Sequence, residues 1–255
     1  MTKNIIIAAS LAISTLACGL PASQAVASPL DWFSGEKVQG NGNIKKQSRE
    51  LAHFTGISMS LPAAVELRIG NTEGITIETD DNLLPLIETV IENGTLKVRA
   101  SKRNMNLQPR TLKIVIHAKE VERVSLGGSG SIESDALKGG KMKFDLGGSG
   151  TINIKNIEGE SISVTVGGSG TFKTGGGSAT NLSVTIGGSG DVDLGRVKAS
   201  EASVSVAGSG EAVIWASNSL SVTIAGSGDV NYYGDPKLSQ SVVGSGGARR
   251  LAAKP

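Results

Sequence analysis

In the second half of the chain, apolar and hydroxyl residues alternate ahead of a Gly-Ser-Gly triplet, and the whole pattern repeats. The triplet stands at residues 128–130 and returns at 148, 168, 188 and 208, every 20 residues, then at 226 and 244, each after 18. Three apolar columns precede it: Met142, Ile162, Leu182, Ala202, Leu220, Leu238; then Val124, Phe144, Val164, Val184, Val204, Val222; then Leu126, Leu146, Val166, Ile186, Val206, Ile224, Val242. Between them stand Lys143 and Ser163, Ser183, Ser203, Ser221, Ser239, and then Ser125, Asp145, Thr165, Thr185, Ser205, Thr223, Ser241. A period of two with one apolar face predicts half-buried strands, not helices. After the glycines a second apolar column begins with Ile132, Ile152, Phe172, Val192, Ala212 and Val230.

A fixed period near 20 residues marks a repeat architecture. Each repeat holds two or three short strands and their corners, and one such unit cannot bury its apolar edge alone. Units must stack and share a core, which makes the chain an all-β, single-stranded parallel β-helix, or β-solenoid. Coils stacked ~4.8 Å apart would give a rod of roughly 34 Å for seven coils. The glycines suit corners where adjacent coils approach closely. The drop from 20 to 18 residues is expected to fall between Leu194 and Ala202. A β-sandwich or up-and-down barrel also has evenly spaced short strands, but neither requires the same residue types to recur in register seven times.

The first half has strand-like runs without the period: His53 to Ser60, Ala63 to Ile69, Gly74 to Thr79, Thr95 to Arg99 and Thr111 to His117. Between two of them Asp80, Asp81 and Asn82 precede Leu83-Leu84-Pro85, which predicts a short helical turn with proline in its first turn, lying across one end of the stack. Residues 1–27 read as a signal peptide: Lys3, an apolar stretch from Ile5 to Leu16, and the small-residue site Ala25-Val26-Ala27. Residues 28–49 are expected to be a flexible leader, 50–246 the solenoid domain with regular coils from about 122, and 247–255 a disordered basic tail.

Phe54-Thr55-Gly56-Ile57, Val65-Glu66-Leu67-Arg68-Ile69-Gly70, the run from Asp80 to Thr89 and Asn93-Gly94-Thr95-Leu96-Lys97-Val98 lead in order into the Gly-Ser-Gly coils. In this set of motifs the chain resembles the bacterial putative autotransporter adhesin, head GIN domain family. The likeness covers about residues 48–246. The resemblance implies an exported right-handed β-helix and a role as an adhesin-like surface module, and it brings no catalytic or ligand-binding residues.

Charge and chemistry narrow the function further. Loss of residues 1–27 takes one lysine and no acid from 25 basic and 23 acidic residues. A chain so near neutrality has no field to gather nucleic acid or an anionic membrane. Cys18, the one cysteine, lies in the signal. Cleaved and lipidated there, the protein would be a tethered lipoprotein; otherwise it is exported to the periplasm, surface or medium without a thiol, and disulfides or thiolate zinc sites are excluded. No triplet is followed by Lys-Ser/Thr or opens a helix, so the glycines are corners rather than a phosphate cradle. His53 and His117 are expected to be surface or capping residues.

No catalytic residue, cofactor or resident metal is expected. Two features remain. Asp191, Glu211 and Asp229 follow their glycines on three consecutive coils, which makes either a solvated acidic stripe or a weak cation site. Trp215 and Tyr233 hold one place on successive coils, outward by alternation with Ile214 and Tyr232. In a chain with 3% aromatics they could stack a sugar or anchor a partner, or they could cover the C-terminal edge. The expected function is a non-catalytic structural or adhesin-like module of the bacterial envelope, with a glycan or cell-surface protein as partner and self-association through its exposed ladder or end. The alternative is a carbohydrate-active enzyme, a lyase or hydrolase, on the same scaffold.

Overall fold

Each hydroxyl–apolar alternation described above becomes a strand whose apolar side chains point to a common axis. The computed structural model describes residues 36–252, so the expectations for the signal peptide and Cys18 lie outside the described residues. The fold is a β-solenoid of about six turns, 73% strand. Its strands in chain order are β1 (Lys37–Gln39), β2 (Ile44–Glu50), β3 (Gly56–Met59), β4 (Ala64–Ile69), β5 (Gly74–Asp80), β6 (Ile87–Glu92), β7 (Thr95–Ala100), β8 (Asn106–Gln108), β9 (Leu112–Ala118) and β10 (Arg123–Gly128). There follow β11 (Ser131–Gly148), β12 (Thr151–Gly168), β13 (Thr171–Thr174), β14 (Gly177–Gly188), β15 (Asp191–Gly208), β16 (Glu211–Gly226), β17 (Asp229–Tyr233), β18 (Lys237–Gly244) and β19 (Gly247–Arg250).

From β10 onward every pairing is parallel and in the register that the columns predict, with Phe144 against Val164, Val164 against Val184, and Val184 against Val204. The inward columns are buried from Val124 to Ile224, and Phe144 and Phe172 meet across the core with ring centroids 5.1 Å apart. The triplet's three positions have different reasons. Gly188 has φ +126° and an added Cβ would lie 2.5 Å from the Gly168 carbonyl oxygen; Gly190 lies in an equally close approach to Gly170 and Val166. The residue before each triplet is free: nothing lies near a Cβ at Gly147, Gly167 or Gly187, and later coils put Ala207, Ala225 and Val243 there.

The 18-residue coils lose their two residues where expected. The β15–β16 register shifts between Leu194 and Lys198 and again between Ala199 and Glu201, leaving Gly195 to Val197 as a bulge.

The irregular half builds the stack's first turns and closes that end. β3 pairs in parallel with β10 on one side and β7 on the other, and β4 likewise with β11 and β9. Beyond them the direction reverses: β5 runs antiparallel to β9, β6 to β7, and β2 to β5. The predicted helical turn is a 3-10 turn at Leu84–Leu86 with the proline at its start. Asp80, fully buried, clasps the segment before β2. Its carboxylate accepts the Gly42 N–H at 2.6 Å and the Arg110 N–H at 2.9 Å.

Two expectations at the edges are corrected. The presumed flexible leader is strand from Lys37 on, because β1 pairs with β8 and β2 with β5. β2 carries no apolar alternation because both its faces are exposed. It is held by its ladder and by Arg49, which donates to the carbonyl oxygens of Ile87 and Leu84 and to Thr89 Oγ1. The presumed disordered tail is strand over Gly247–Arg250, paired with β17 and fastened by an Arg250–Asp235 ion pair of 2.9 Å.

Candidate recognition surface

The flank of the solenoid formed after each triplet carries the features with chemical character. Its outward positions at the first coils are Asp135 and Lys155, an ion pair of 2.7 Å. Glu66 and Arg68 stand beside them, joined through two hydrogen bonds of 2.7 and 2.9 Å. These four side chains, with Glu133, Ser134 and Asn153, line an open cleft of about 400 Å³. The hydrogen bond from Arg68 holds the Glu66 carboxyl below its usual range, and Lys155 does the same for Asp135. Four of the cleft's charges are therefore matched in two pairs, Glu66 with Arg68 and Asp135 with Lys155. Sequence reading missed this site because its walls come from strands 67 residues apart, with Ser134 Oγ donating to the Leu67 carbonyl between them.

Further along the same flank stand the two predicted aromatics. Trp215 and Tyr233 are backbone neighbours in register and both are half-exposed. Their setting differs from the expected one in a single respect: the strand neighbour of Trp215 on the preceding coil is Lys198, not Gly195. The bulge moves Gly195 out of the ladder, and the Tyr233 ring lies against it, so close that a Cβ on Gly195 would sit 3.1 Å from Tyr233 Cε2. Trp215 leans the other way, its Cδ1 beside Gly234. Leu251, whose N–H is donated to the Tyr232 carbonyl oxygen, extends the column by one half-buried residue. The result is an outward row of two rings continued by Leu251, with Lys198 beside Trp215 in register.

Asp191, Glu211 and Asp229 are in register as expected and exposed. They do not converge. Glu211 Oε1 accepts from Asn231 Nδ2 at 2.7 Å and Asp229 Oδ1 from the Gly247 N–H at 3.2 Å. Among the described residues no three His, Cys, Asp or Glu side chains gather where they could hold a metal ion. The stripe is an exposed row in which Glu211 and Asp229 each accept a hydrogen bond from the next coil.

His53 is exposed, with Nδ1 2.7 Å from Glu73 Oε1 and Nε2 3.7 Å from a Glu120 carboxylate oxygen. Burial pushes the Glu73 carboxyl up, but His53, the Phe54 N–H and Lys119 outweigh it and hold it below the usual range. His117 is a half-exposed strand residue of β9, beside Arg68 on β4 and Gly74 on β5. Among the described residues neither histidine pairs with a hydroxyl group.

The family model described as putative auto-transporter adhesin, head GIN domain, matches residues 53–236. The chain belongs to this family. Its fold is shared by a putative adhesin from Bacteroides fragilis NCTC 9343, at TM-score 0.79 and 20% identity over 84% of this chain and all of that one. A putative lipid binding protein from Parabacteroides distasonis ATCC 8503 matches at TM-score 0.73 and 26% identity, over 85% of this chain and all of the other. A putative adhesin from Parabacteroides merdae ATCC 43184 matches at TM-score 0.69 and 21% identity, with the same coverage. No curated protein matches.

Proposed function

We propose that this GIN-domain protein is a non-catalytic, exported surface-interaction module of the bacterial envelope, and that it meets its partner through Trp215 and Tyr233. The observation that carries the reading is the pairing of two half-exposed rings in register on a rigid parallel sheet. Aromatic rings fixed by a backbone ladder give up little side-chain entropy on contact. They suit the apolar face of a sugar ring or a hydrophobic anchor on a cell-surface protein. Lys198, in register with Trp215, supplies a donor for hydroxyl or carboxyl groups. The adhesin names of the family and of its structural relatives support a binding role. The apolar segment and small-residue site in residues 1–27 support export.

The test is a double substitution, Trp215→Ala with Tyr233→Ala, assayed on a glycan array and on whole bacterial and host cells. Both side chains lie outside the core, so the circular dichroism and melting profile should be retained. Binding should fall at least about tenfold, as expected when interface anchors are truncated. Unchanged binding to a ligand the parent protein recognises removes the platform. Turnover of any bound polysaccharide, read as new reducing ends, would replace the binding reading with the enzymatic one.

A further inference from the structure

The two ends of the stack are finished differently. At the N-terminal end β5 and β6 run antiparallel to the coils, and the outer strand β2, antiparallel to β5, carries Lys45, Lys46, Arg49 and Glu50 along its length. Charge on an edge strand discourages addition of another strand. At the opposite end β18 pairs with β16 alone, and β19 with β17 alone. All eight residues of β18 are exposed. Leu238 and Val242, each 37% exposed, continue columns whose preceding members Leu220 and Ile224 are 1% exposed. Gln240 stands in the inward column of Val222, and Val243 is 74% exposed. This edge has the backbone groups and the apolar side chains of a coil that lacks its successor.

We propose that a second copy of the same chain completes this end, β18 pairing with β18 of the second copy about a two-fold axis through Gln240. Two identical ends that face one another meet with their strands in opposite directions, so the contact is antiparallel and closes after two copies. Directly opposed residues in an antiparallel pair share one face of the sheet. The centred register that keeps inward residues inward sets Leu238 against Val242 of the second copy, Gln240 against its counterpart, and Ser239 against Ser241. Aliphatic meets aliphatic, amide meets amide and hydroxyl meets hydroxyl. The register shifted by one step of two would instead set Leu238 against Gly244 and Gln240 against Val242.

Along β18 itself, charge agrees with the centred register, and on the neighbouring end strand β19 Arg250 is neutralised by Asp235. Lys237 is the one charged residue of β18. It falls opposite Val243 of the second copy and six residues from the other Lys237, a separation of roughly 20 Å. Growth into a filament would need this edge to seat on the charged N-terminal strands of the next copy, which β2 opposes. The self-complementary end therefore favours a closed dimer.

The experiment is light scattering coupled to size exclusion on the full mature chain, with circular dichroism as the check on folding. Val243→Lys places a lysine opposite Lys237 of the second copy. Its column already accepts Gly147, Ala207 and Ala225, so the monomer should fold unchanged. The parent protein should elute as a dimer and Val243→Lys as a monomer, its dissociation constant raised at least about tenfold. Adding Lys237→Glu to Val243→Lys should restore the dimer, because the new pair is oppositely charged. A parent protein that stays monomeric to roughly 1 mM, the range of very weak complexes, overturns the proposal. So does a dimer indifferent to Val243→Lys, or one that the charge swap fails to rescue.

Discussion

At the level of single residues the fold depends on a few positions that admit no alternative. Gly188 occupies a backbone region reserved for glycine and touches the coil above it. Gly187, one residue earlier, faces open space. Gly188→Ala should therefore cost roughly 1–3 kcal/mol or more in chemical denaturation, whereas Gly187→Ala should change stability by less than about 0.5 kcal/mol. Asp80 is the second such residue. Burial raises its carboxyl pKa, but the N–H groups of Gly42 and Arg110 prevail and hold it below the ordinary carboxylate value. A group whose folded pKa is depressed stabilises the protein fully above its unfolded pKa, and loses that contribution as pH falls through the folded value. Melting curves should therefore show Asp80→Asn several degrees below the parent protein at neutral pH, with the gap closing as the pH drops beneath the usual carboxylate range. A constant gap would mean that shape, not charge, holds the clasp.

At the level of elements, each coil contacts mainly the coils above and below it, and this gives the stack a simple arithmetic. Removing residues 171–190 joins Gly170 to Asp191, which already stands in register with Thr171. Every column then closes up, and the shortened protein should fold cooperatively with a lower melting temperature. Removing residues 171–180 instead sets corner glycines against strand positions, and that variant should not fold. The regular coils were legible in the sequence because the three columns before each triplet are apolar from Phe144 to Ile224 and the positions between them are polar. β2 was not, because an outermost strand exposed on both faces has no such contrast: Lys45, Lys46 and Gln47 read like a solvated leader. β19 was missed for a related reason. Its hold is a backbone ladder and one ion pair, which leave little trace in residue type.

At the level of the molecule, the candidate surface was legible only in part. Trp215 and Tyr233 could be placed together by counting from their glycines, since both lie in the same column. The exact count failed by the width of the bulge, because a register shift has no signature other than coil length. The cleft between Glu66, Arg68, Asp135 and Lys155 needed the fold itself, which folds a strand of the irregular half onto the first regular coil.

The bulge at Gly195 to Val197 has a consequence of its own. By dropping two residues from later coils and ending one inward column at Val197, the chain makes a step in an otherwise uniform wall, and the Tyr233 ring rests on that step. Lengthening or trimming this overhang on the outer side of Val197 would reshape the contact surface and leave the remaining inward columns in register. Relatives built on the same spool could thus vary what they grip by changing turn length alone.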